Sequence, residues 1–157
     1  MLMVGVLACE PEVEPFGAQH VDRSVGVSAL PTAVMPESVG TYPGRTKSGA
    51  GYFYDDVLEY RVWMHPEEGA DDLAGGADYF AAFAYYEAAL RYSERISGAE
   101  EPLVLVRQRE WIDEPDSGRF VWKRGDRNTE WKPEWLEGSK RDTASIREFL
   151  NRSQPVP

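Results

Sequence analysis

The amino-acid sequence predicts an α+β fold, a mixed or antiparallel sheet of about five strands with two helices, preceded by an irregular N-terminal leader. Three observations lead there. Residues 57–65, "VLEYRVWMH", alternate apolar and polar side chains with the period of a strand. The stretches "AYYEAALRYSERIS" and "TASIREFLN" instead repeat apolar residues at helical spacing. The elements then run strand, strand, helix, strand, strand, short strand, helix, an order that suits α+β rather than a doubly wound sheet. At 157 residues the chain is the size of one ordinary domain, divided as a leader over 1–51, an α+β domain over 52–151 and a tail over 152–157.

Residues 10–51 are rich in Pro, Gly, Ser and Val, and Pro31, Pro36 and Pro43 leave no room for a continuous helix. They read as a loose leader, with an extended wrap around the domain as one form it can take. The first strand follows, with Leu58, Tyr60, Val62 and Met64 pointing to the core and Glu59, Arg61, Trp63 and His65 to solvent. "HPEEGADDLAGGAD" is polar and glycine-rich, hence a loop. Over 78–83 the aromatics Tyr79, Phe80 and Phe83 do not continue the helical stripe, which favours a short strand over an earlier helix start.

The helix runs from Ala84, with Tyr85, Ala88, Ala89, Tyr92 and Ile96 on one stripe, Glu87 and Arg91 as an i,i+4 pair, and Gly98 as the stop. "PLVLVRQREWI" is a central strand whose far end emerges into solvent. "DEPDSG" is turn chemistry, "RFVWKRG" a further strand, and residues 129–131 a last short strand broken by Pro133. Asp142 or Thr143 caps the final helix, whose apolar side is Ile146, Phe149 and Leu150.

Composition narrows the partners. With 27 acidic against 17 basic residues the net charge is −10, which repels phosphate backbones and anionic membranes, so nucleic acid is not an expected partner. Five tryptophans, eight tyrosines and six phenylalanines supply more flat surface than a small core uses, and part of it can form a binding face. Cys9 is the only cysteine, and His20 and His65 are far apart, so no metal is expected. No run reaches the roughly 18 apolar residues of a membrane span. "VLAC" resembles a lipoprotein cleavage box, although no basic region precedes it and the apolar run is short. The expectation is a cytoplasmic protein, with a lipoprotein anchored at Cys9 as the alternative. Oligomeric state is open.

Three constellations could carry chemistry. Glu59, Arg61, Trp63 and His65 form a row with alternate residues about 6 to 7 Å apart, able to hold an anionic or planar ligand or to be an ordinary exposed strand face. Asp71, Asp72 and Asp78 could meet a hard cation, but their spacing matches no EF-hand loop, and a solvated charge run explains them. Glu130, between turn residues and tryptophans, is a candidate general base or a surface glutamate beside core indoles.

At "RVWMHPEEG", "DYFAAFAYYEAAL" and "GAEEPLVLVRQREWIDEP" the chain resembles a family of short bacterial proteins often labelled GCN5-related N-acetyltransferases. The resemblance implies acetyl-CoA as donor, an amine as acceptor and a pyrophosphate cradle at a helix N-terminus. Its place falls on Asp72-Leu-Ala-Gly75-Gly76-Ala77, with Gly75, Gly76 and Ala77 as cofactor-binding residues and an acid where that family carries a basic or amide side chain. The element order is also similar to the core of ADP-ribosyltransferases, which implies NAD as substrate and Arg61 or His65, Tyr79 and Glu130 as catalytic residues. The expected function is therefore a transferase, acetyl-CoA-dependent first and NAD-dependent second, with a non-enzymatic binding protein bearing an aromatic surface as the third reading.

Overall fold

The computed structural model describes residues 30–44 and 51–153. Cys9, His20 and the anchor reading lie outside the described residues. Four strands form one antiparallel sheet: β1 (Asp56–Met64), β2 (Tyr79–Phe83), β3 (Leu103–Asp116) and β4 (Arg119–Trp131), in the order β2-β1-β3-β4. Two helices accompany them, α1 (Tyr86–Ser93) and α2 (Ser145–Ser153). The class is α+β. Among the described residues no helix is long and apolar enough to cross a membrane.

The strand count is four because the two late strands expected at 119–125 and 129–131 are one. Between Glu110↔Arg124 and Gln108↔Arg127, β4 spends one residue more than β3, a bulge that contains Gly125. Gly125 lies at φ 157°, a backbone region that side-chain-bearing residues rarely adopt, so the chain kinks and pairing resumes. A second shift, between Asp113 and Asp116, takes up Pro115 inside β3. The turn is thereby reduced to Ser117 and Gly118, with Gly118 at φ 78°.

One face of the sheet buries Tyr60, Val62, Met64, Phe83, Val104, Val106 and Trp131 against Ala88 and Ala89 of α1. A bulge between Val57 and Glu59 puts Val57, rather than the expected Leu58, into this cluster. Helix α1 starts at Tyr86 and not at Ala84, because Ala84 is buried against Ala33 and Val39 and its carbonyl accepts the Ala33 N–H at 3.0 Å. It ends at Ser93, before the expected Gly98 stop.

The opposite face corrects the solvent-side expectation. Glu59 and Arg61 have no exposed surface and Trp63 is buried, because part of the presumed leader lies across them. Val34 N–H bonds to Val57 O at 2.8 Å and Gly40 N–H to the Glu59 carboxylate at 2.7 Å, while the start of the segment meets the α1 face, where the Tyr60 hydroxyl donates to Pro31 O at 2.5 Å. Residues 30–44 are a strap, and β1 is covered on both sides.

Helix α2 is capped as expected by Asp142, whose carboxylate accepts from the N–H groups of Ala144 at 2.8 Å and Ser145 at 2.7 Å. Phe149 stacks α2 against Tyr52 and Phe120, with ring centroids 4.9 and 5.0 Å apart.

Candidate functional site

Arg61 and Glu130, two of the residues singled out from sequence, meet inside the protein. Arg61 Nε donates to Glu59 at 2.6 Å and Nη1 to Glu130 at 2.6 Å, while Nη2 reaches the carbonyls of Tyr42 at 3.4 Å and Pro43 at 3.1 Å. The guanidinium also sits 4.4 Å from the centre of the Phe80 ring. Register explains the meeting: Glu59 pairs with Leu105, and Leu105 with Glu130, so both carboxylates stand on one face of adjacent rows. Every nitrogen of the fork has an acceptor and the strap closes the face. The cluster ties the strap to the sheet and keeps Glu130 buried.

His65 leaves that row. It follows the end of β1, with Nδ1 2.9 Å from Asp78 and Nε2 3.0 Å from Glu100. The Nε2 contact with Glu100 is an ion contact. The hydrogen bond to Asp78 raises the imidazole pKa above its ordinary 6.5, partial burial opposes it, and Glu100 adds to the rise. His65 thus joins the loop before β2 to the loop before β3. The described residues contain no His, Cys, Asp and Glu group arranged to hold a metal.

Tyr79 pairs with Met64 and packs against the α1 side of the sheet, opposite to Arg61 and Glu130, and its hydroxyl donates to Asp71 O at 2.8 Å. The four catalytic candidates therefore divide into three places. Gly75, Gly76 and Ala77 stand in an exposed turn that enters strand β2, not a helix, and the Gly76 N–H is taken by Asp72 at 2.6 Å. Among the described strands all three pairings are antiparallel, so none supplies a parallel pair to open between. The aspartates next to the glycines close the turn on itself.

A different site comes from the chain around β4's end. Lys132 turns the chain out of the sheet, and Pro133–Leu136 form a single 3₁₀ turn that swings Trp135 back toward Trp131, with ring centroids 6.4 Å apart at 65°. Leu136 buries itself in the core and fixes that turn. Tyr52, Trp131, Trp135, Glu137 and Ser139 line a pocket of about 330 Å³. Trp131 is its buried wall and Trp135 its exposed one. The indole N–H of Trp131 is buried without a partner, a property shared with Trp63 and Trp122 that does not single the pocket out.

Tyr52 is held in an unusual way. It is the one described non-glycine residue at positive φ, 61°, a conformation that costs of order 1–3 kcal/mol for a side-chain-bearing residue. Its hydroxyl donates to Glu114, and that bond, with burial second, pushes the phenol up to about 12. A second cleft, of about 370 Å³ beside Pro31, Val34 and Tyr54, has its charged groups engaged, since Asp56 pairs with Arg109 at 3.1 Å and Lys140 bonds to the Asp55 carbonyl.

Sequence reasoning missed Tyr52, Trp135 and Glu137. The available signal was "WKPEW": a proline after a strand end brings a second tryptophan four residues on back against the first. The fold and site together define a small antiparallel α+β protein with a strapped sheet and an aromatic pocket at one end. No family model, curated protein or solved structure matches the chain.

Proposed function

We propose that this is a binding protein whose ligand seats in the pocket of Tyr52, Trp131 and Trp135. The observation that carries the proposal is that three aromatic side chains from two separate segments converge on one open, mostly apolar concavity, the usual form of a small-molecule site. The backbone conformation of Tyr52 adds to it, since a residue kept in an unfavourable conformation is often kept for a ligand. The two transfer readings draw less from the geometry. Acetyl transfer wants free backbone N–H groups at a helix N-terminus, and the Gly76 N–H is already engaged. ADP-ribosyl transfer wants an accessible late glutamate, and Glu130 is buried on Arg61.

A melting-temperature screen of small ligands, with acetyl-CoA and NAD included, tests the proposal. Binding that is lost in Trp135→Ala supports it. A specific rise with acetyl-CoA or NAD that survives Trp135→Ala contradicts it and returns the protein to the transferases.

A further inference from the structure

We infer that the ligand class of this pocket is an organic cation, an ammonium carrying methyl or alkyl groups. The inference rests on the binding-protein reading above and goes beyond it. Its first support is the arrangement of the walls. Trp131 and Trp135 meet edge to face at 65° rather than stacked, and Trp135 is exposed, so the pair keeps aromatic surface for a ligand. Ring faces are where the aromatic quadrupole attracts a cation, and tryptophan is the strongest of the three rings. Tyr52 is anchored at its hydroxyl by Glu114 and at its ring by Phe149, so this wall is fixed before any ligand arrives.

The second support is the charge in the pocket. Glu137 is the only carboxylate among the described lining residues, and no described cation or donor engages it. The two cations that follow it in sequence are engaged elsewhere: Arg141 bonds to Asp55 at 2.5 Å and Glu110 at 3.0 Å, and Lys140 bonds to Asp55 O and lies over Tyr54. An anionic ligand would meet a free carboxylate and no counter-charge among the described lining residues. A cation would meet the reverse. The net charge of −10 draws cations toward the whole molecule in the same sense. Ser139 supplies a hydroxyl for a polar group on the remainder of the ligand.

Titration of the full chain with choline and with its neutral tert-butyl isostere, read by tryptophan fluorescence, separates charge from shape. Choline is expected to bind at least about tenfold more tightly than the isostere, the scale of a desolvated cation–π contact. Glu137→Gln is expected to weaken choline and leave the isostere unchanged, and Trp135→Ala to abolish both. Trp135→Phe keeps a ring and a part of the affinity, which guards against misreading a folding defect. Equal affinity for choline and the isostere, or choline binding indifferent to Glu137→Gln, overturns the cation assignment. Isostere binding that depends on Trp135 leaves the binding-protein reading standing without it. Absence of binding by both compounds, with no other ligand dependent on Trp135, overturns the two together.

Discussion

The guanidinium of Arg61 has none of its surface in water and depends on Glu59, Glu130 and two strap carbonyls being present together. Removing one member of a buried ionic group is costly because the others stay buried and unpaired, so Arg61→Met is expected to lose about 3–5 kcal/mol of unfolding free energy. Adding Glu59→Leu and Glu130→Leu removes the stranded charges and is expected to recover most of that loss in urea unfolding. If the triple variant is no better than the single one, the cluster has a role beyond tying down the strap. His65 gives a pH signature. Its pKa is raised in the folded state by Asp78 and Glu100, so its contribution is fully present below 6.5 and is lost as pH rises through the higher folded value. Thermal melts across that interval should slope downward in the native protein and lose that component in His65→Gln. At this scale sequence order was a partial guide: it named Arg61 and Glu130, which do meet, but order cannot tell a buried pair from a catalytic one. The exposed row that holds Arg61 in the sequence reading assumes bare solvent above β1, and the residues that cover it lie about twenty positions upstream.

Among the elements, period marks β1 and both helices, since a half-buried strand and an amphipathic helix write it into the side chains, whereas β2 and β3 show as a broken helical stripe and a continuous apolar run, and β4 reads as two strands. Boundaries fared worse, for reasons visible in single residues. In the sequence Gly125 ends a strand and Pro115 belongs to a turn, whereas in the fold each sits in a bulge that lets pairing continue. The strap carries no period because it forms few repeated contacts, and its burial comes from Ala33, Val39 and backbone hydrogen bonds. Val39 is nearly sealed, so Val39→Ala removes two buried carbon groups and is expected to cost about 2 kcal/mol. If the strap docks as a unit, the same variant should speed amide exchange at Ala33 and Val34, whose N–H groups bond to Ala84 and Val57. Loss of stability without faster exchange at those two amides would mean that Val39 packs independently of the strap's register.

For the molecule as a whole, the strapped face and the α1 face both belong to stability, and the pocket of Tyr52, Trp131 and Trp135 is a concavity that the packing of the described residues leaves open. That division was not legible beforehand, because the pocket joins residue 52 to residues 131–139, a long-range meeting that no local pattern encodes. The five tryptophans offer a direct reading of it, since each indole N–H gives its own amide-type NMR signal. On titration with an ammonium ligand such as choline, the signals of Trp131 and Trp135 are predicted to move while those of Trp63, Trp111 and Trp122 stay in place. Movement at Trp111 and Trp122 with Trp131 and Trp135 unmoved would place the ligand on the β3–β4 hairpin and contradict the proposed site.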